Sequence, residues 1–160
     1  MTSIILAHLD KQVESARRLL GIVIEQSAAI RQQDVEGVLV KMAELQGEMV
    51  TRAQLEQERD HLIQSAAVQL GVTTDEVDLD AMLTLEPQLD GQHARSRSAE
   101  LKGLVTETSR VHDQNRLLVR QELSFLDHLM RVLSGTPQSG YSKSGTSATP
   151  QISNAINAHA

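Results

Sequence analysis

Three long stretches of this 160-residue chain set their apolar side chains at alternating spacings of three and four. Only an α-helix turns that spacing into one continuous face. In the first stretch the stripe is Leu6, Leu9, Val13, Ala16, Leu20, Val23, Ser27 and Ile30. It predicts a helix from about Ser3 to Arg31, roughly 40 Å long at 1.5 Å per residue.

Composition points the same way. The chain holds no Trp, one Tyr, one Phe and no Cys. Sandwiches and barrels draw on aromatic and β-branched residues, so an all-β fold is excluded. Base-stacking platforms for single-stranded nucleic acid are missing. Without Cys there is no disulfide frame, thiolate metal site or Cys nucleophile.

The second stretch opens at Asp34, a residue type that caps helix amides. Its stripe is Val35, Val38, Met42, Leu45 and Met49, then Arg52, Glu56 and Arg59, then Ile63, Ala66 and Leu70. The charged middle predicts shallower packing or a drift of register there. Gly71 is the expected stop. The third stretch is predicted over about Ser98 to Ser134. One stripe is Leu101, Leu104, Thr108, Val111, Asn115, Leu118, Glu122, Phe125, Leu129 and Val132. A second begins late, with Val119, Leu123, Leu126, Met130 and Leu133. Gly135 and Pro137 end the helix. Between the second and third stretches, Thr74-Asp75-Glu76 predicts a cap and a short helix through about Leu85, and Pro87 and Gly91 mark a loop.

The net charge of −6 disfavours general nucleic-acid binding. The acids concentrate in the connector: residues 71–91 hold six and no base. No apolar run approaches the roughly 20 residues of a membrane span, and the start lacks the basic region of a signal peptide. A cytoplasmic protein without membrane insertion is the expectation. From Ser134 on, 14 of 27 residues are Ser, Thr, Gly or Pro, which predicts a flexible, disordered tail. One island, Ile152 and Ile156 after Thr149-Pro150, has helical spacing.

Motifs for chemistry are sparse. Glu58-x-x-His61 has the spacing of di-iron bundles, but His112 and His128 are preceded at that distance by Ser109 and Phe125, so the second motif is missing. Asp78-x-Asp80 lacks the other ligands of a calcium loop. No phosphate loop or nucleophile elbow exists. No catalytic residue, metal or cofactor is expected. Asn115 reads as an interior polar residue that fixes helix register, or else as a partner contact.

The wide apolar arc of Val119 to Leu133 needs more than one neighbour to cover it. Either the first two helices cover both stripes, or one stripe stays open and takes an amphipathic helix from another protein. The polar tail directly after it, with no further helix, favours the open stripe.

In this order the motifs resemble the FlgN family over residues 1 to about 145. They are Leu19-Leu20 in the first helix; Leu45, Glu58-Arg59 and Leu62 in the second; and its end at Leu70-Gly71-Val72. An acidic connector follows, then Asn115-x-x-Leu118, Leu126-x-x-Leu129 and a lone tail Tyr141-x-x-x-Gly145. The family often shows two Asn three apart in the last helix; here the first position is His112. The resemblance implies a flagellar export chaperone without enzymatic activity. Such chaperones bind the C-terminal helices of the hook-associated proteins FlgK and FlgL, keep them unpolymerised and deliver them to the type III export gate. It places substrate binding on the C-terminal helical part, here Val119, Leu123, Phe125, Leu126, Leu129, Met130, Val132 and Leu133. It places gate docking on Tyr141, with Gly145 beside it.

The expectation is therefore an all-α, elongated antiparallel up-and-down bundle of three long helices with a short connector helix. Residues 1–134 form the chaperone domain and 135–160 the tail. The alternative is a structural helical-bundle protein that self-associates through its stripes. Both aromatic residues, Phe125 and Tyr141, fall where partner contacts are expected, and aromatics are favoured interface anchors.

Overall fold

The computed structural model describes residues 3–135. Four α-helices and one 3₁₀ turn account for them, and no strand occurs among the described residues. Helix α1 spans Ile4–Arg31, α2 Val35–Leu70, α3 Leu79–Leu85 and α4 Gly91–Leu133, with the 3₁₀ turn at Thr74–Glu76. The chain divides into two compact units, Met1–Leu123 and Ser124–Ala160.

The helix ends follow from local chemistry. Ser3 caps α1, its hydroxyl accepting from the Leu6 amide at 3.2 Å. Asp34 caps α2 by accepting from the Gly37 amide at 2.9 Å. Gly71 ends α2 in the left-handed region, with φ +71°, where a side chain costs energy and glycine does not.

The connector departs from the single short helix expected through Leu85. It is two pieces. Thr73 and Glu76 form a capping box around the 3₁₀ turn, and Asp78 then caps α3 through the Ala81 amide at 2.7 Å. Two caps five residues apart cannot serve one continuous helix. The last helix also starts seven residues earlier than expected. Asp90 accepts from the amides of Gln92 and His93, so Gly91 opens α4 instead of marking a loop.

Within Met1–Leu123 the long helices run up, down and up. Pairs Ser15–Glu48, Lys11–Glu58 and Lys41–Glu25 join α1 to α2 with numbers rising on one and falling on the other, so these two are antiparallel. Pairs Asp10–Arg97 and Val23–Asn115 rise together, so α4 returns parallel to α1.

The core between them is slim and partly polar. Its fully buried members include Val13, Ala16 and Val23 of α1, Ala66 and Ala67 of α2, and Ala94 of α4. Small side chains at these positions let backbones approach closely. Helix α1 is buried over a wider arc than its expected stripe. Leu6, Leu9, Leu20 and Ser27 are only half-buried, while Ile5, His8, Gln12, Ser15, Leu19 and Gln26 are buried beside Val13, Ala16 and Val23. The reason is that α1 has neighbours on two sides, so a second seam one residue back is also covered. In α2 the charged middle does shift the register. Leu55 turns inward, while Arg52 is half-buried and Glu56 and Arg59 stay exposed. Met42 and Met49, both on the expected stripe, are exposed.

Candidate functional site

Helix α4 carries the candidate site, and its inward stripe holds for most of the first unit. Ala94, Leu101, Leu104, Thr108, Val111, Asn115 and Leu118 are all buried or half-buried, at spacings of three and four after Leu101. Asn115 is the polar member. Its Nδ2 donates to the Val23 carbonyl at 2.8 Å and to Gln26 Oε1 at 3.3 Å, which supports the interior reading of this residue.

Burial stops after Leu118 although the apolar pattern continues. Every residue from Val119 to Gly135 is exposed. In the first unit this concerns Val119 and Leu123. Asn115 lies level with Val23 and Gln26, and α1 ends five residues beyond Gln26, at Arg31. The same rise along α4 reaches Arg120, so the cover from α1 runs out there.

In the second unit, Ser124–Leu133 continues the helix with both apolar stripes uncovered. Phe125, Leu126, Leu129, Met130, Val132 and Leu133 are exposed by between 40% (Leu129) and 74% (Leu133). Single exposed apolar residues are ordinary; six in nine positions of one helix are a patch that marks an interaction surface or a liability. Asp127 and Arg131 pair at 2.7 Å across one helical turn. Tyr141, Gly145 and the Ile152–Ile156 island lie outside the described residues.

Of the Glu58-x-x-His61 pair, Glu58 turns toward α1. Glu58 bonds Lys11 at 3.2 Å and lies 3.5 Å from His8 Nδ1. Among the described residues no group of three or more metal-ligating side chains comes together. Asp80, of the Asp78-x-Asp80 pair, instead accepts from Arg95 at 2.7 Å and ties α3 to α4. No helix among the described residues is long and apolar enough to cross a membrane.

The sequence reading missed a polar seam between α1 and α2. His8, Gln12 and Ser15 are buried on α1. The Gln12 amide nitrogen faces His8 Nε2 at 3.3 Å and donates to Glu56 Oε1 at 3.5 Å; Ser15 Oγ donates to Glu48 at 2.7 Å. An amide nitrogen is only a donor, so Nε2 accepts and the neutral His8 carries its proton on Nδ1, toward Glu58. Burial pushes the His8 pKa below its ordinary value, against the opposing pull of Glu58. At Glu48 burial works against ionisation, but hydrogen bonds from Arg18 and Ser15 outweigh it and hold the carboxyl below its ordinary value. The signal was present: His8, Gln12 and Ser15 repeat at four and three, opposite the charged middle of α2. It was hidden because the reading followed apolar residues alone.

The sequence model of one family, described as FlgN protein, matches residues 1–149. No curated protein and no solved structure matches the chain. With that match running over the whole bundle and the uncovered end of α4, the chain belongs to the FlgN family, a family of flagellar export chaperones.

Proposed function

We propose that this chaperone binds the hook-associated proteins FlgK and FlgL in the cytoplasm and hands them to the flagellar export gate. The observation that carries the reading is the run of exposed apolar residues on α4: Phe125, Leu126, Leu129, Met130, Val132 and Leu133, continued N-terminally by Val119 and Leu123. An amphipathic helix of the cargo lays its apolar face on this stripe, in the way helices recognise apolar grooves and faces. A stable complex needs a total burial of about 1,000 Å² or more, so the cargo has to cover both stripes. Shielding that cargo face keeps it from polymerising. The tail carries the second contact, through Tyr141 with Gly145 beside it, which separates delivery from cargo binding. No step of this reading calls for catalysis or a cofactor.

Co-expression with FlgK and FlgL followed by pull-down tests it. Wild type is expected to retain cargo. Phe125→Ala and Leu129→Ala are each expected to lose it by about tenfold or more, the effect of a hot-spot truncation. Capture by both variants at the wild-type level would sink the stripe as the cargo site. Tyr141→Ala is expected to retain cargo and lose the export-gate component; retention of both overturns the docking role. A fixed homodimer in ultracentrifugation, with neither FlgK nor FlgL captured, would instead support the self-associating bundle.

A further inference from the structure

Away from the α4 stripe, within Met1–Leu123, the four helices line a half-open cavity of about 620 Å³. We propose that it is a binding site for a small amphipathic ligand: an apolar body, one N–H or O–H donor, and an anionic group. Three features of the walls define that class.

The first is size and lining. Leu9, Leu62, Ile63, Met82, Leu101 and Val105 make most of the surface apolar. The volume lies inside the range of small-molecule sites, about 300–1,000 Å³. A single helical turn, 5.4 Å high and about 10–12 Å across, occupies on the order of 500 Å³. The space is therefore only a little more than one turn long, enough for a small molecule and too short for a helix of several turns.

The second is an orphaned acceptor. Gln12 lines the cavity and is 2% exposed. Its amide nitrogen is engaged by His8 and Glu56, but its Oε1 is buried without a hydrogen-bond partner. An unsatisfied buried acceptor costs roughly 1–3 kcal/mol, which a donor on a ligand would recover.

The third is charge. Arg59 and Lys102 line the cavity together with the carboxylates of Glu56 and Asp78. Arg59 is paired with Glu56 at 3.5 Å. Lys102 has no ion-pair partner among the described residues. Glu56 is held by Arg59 and Asp78 caps α3 through the Ala81 amide, so the exposed Lys102 ammonium is the charge left to meet an anion. Apolar body, donor and anion meet in the chemistry of an N-acyl amino acid.

The test is isothermal titration of the full chain with N-decanoylglycine, which has the three groups. Saturable binding of one molecule per chain is expected. Decanoate, which lacks the amide donor, and the methyl ester, which lacks the anion, should each bind several-fold more weakly. Lys102→Gln should weaken N-decanoylglycine about tenfold, the loss of one charge-assisted hydrogen bond, and leave the ester unchanged. Leu101→Trp, checked for intact helicity by circular dichroism, should abolish binding by filling the cavity. Phe125→Ser, on the exposed stripe, should bind like wild type. Absence of saturable binding at millimolar ligand overturns the site and leaves the cavity to water. Binding lost in Phe125→Ser but kept in Leu101→Trp overturns it in favour of the α4 stripe. None of these outcomes depends on FlgK or FlgL, so the cavity and the cargo stripe stand or fall separately.

Discussion

Asn115 of α4 donates from Nδ2 to the carbonyl oxygen of Val23 in α1 at 2.8 Å, and the two residues are 2% and 1% exposed. A helix carbonyl already accepts the bond of its own ladder, and the second lone pair takes the side chain. The contact is met at one axial setting of α4 against α1, so it fixes register as well as adding energy. Gln26 Oε1, at 3.3 Å, shares the same amide.

Asn115→Ala removes the donor and leaves Gln26 Oε1 buried and unpaired. A loss of about 1–3 kcal/mol is expected by urea unfolding. Asn115→Leu is expected to cost less in stability but to broaden amide resonances of α4, because an apolar seam permits more than one register. Sharp spectra for the Leu variant would show that the register is set elsewhere.

His8 sets a pH dependence. Its folded-state pKa lies below the ordinary value of 6.5, chiefly through burial. In the unfolded chain the imidazole keeps its ordinary affinity for protons, so between the two values the unfolded state binds more of them. Stability from this group is therefore complete above pH 6.5 and falls as the pH drops through that value toward the folded pKa. Thermal melts at pH 7.5 and pH 5.5 should show a larger loss for wild type than for His8→Gln. Equal losses would mean that His8 is not the titrating group.

Glu48 joins Ser15 at 2.7 Å and Arg18 at 3.2 Å. Glu48→Gln keeps an acceptor for Ser15 but removes the charge facing Arg18. Glu48→Ala leaves the fully buried Ser15 hydroxyl unpaired. The Ala variant is expected to lose about 1–3 kcal/mol and the Gln variant less, read as midpoint shifts in urea at neutral pH. The same carboxyl is held below its ordinary pKa, so its contribution is present above that value and fades as acid protonates the folded state.

Gly71 adopts φ +71° at the end of α2. Gly71→Ala is expected to destabilise the bundle by about 1 kcal/mol, the penalty of a side chain in left-handed backbone. Gly103, in mid-helix with open space around its Cα, gives the opposite sign: Gly103→Ala should stabilise by roughly 0.5–1 kcal/mol. Paired melting curves of the two variants check both.

Phe125→Ala and Leu129→Ala truncate side chains that are 59% and 40% exposed. Their effect on stability is expected to stay within about 0.5 kcal/mol. A large drop in melting temperature for either would show that these residues pack in the fold, and any loss of cargo would then have a structural cause.

Much of this was legible from the order of residues. The start of α1 near Ser3, the cap at Asp34, the stop at Gly71 and the inward face Leu101–Leu118 all follow from local rules, because capping and helical period need only neighbours a few positions away. The start of α4 was not legible. Gly91 is a loop residue by propensity, and it becomes helical once Asp90 supplies the cap. The polar seam of His8, Gln12 and Ser15 was invisible to an apolar count, since each polar residue is inside only because a partner on the same helix or on α2 meets it.

The stripe of α4 shows the division best. Sequence alone determined that Val119 to Leu133 is helical and apolar over a wide arc, because the 3.6-residue period writes faces directly into the chain. It could not determine whether that arc is core or surface, because Val111 and Leu129 obey the same spacing. The tertiary structure decided it. Val111 is 7% exposed, while Leu129 is 40% exposed. Burial is a property of what lies beside a helix, and only the packing of distant segments supplies that.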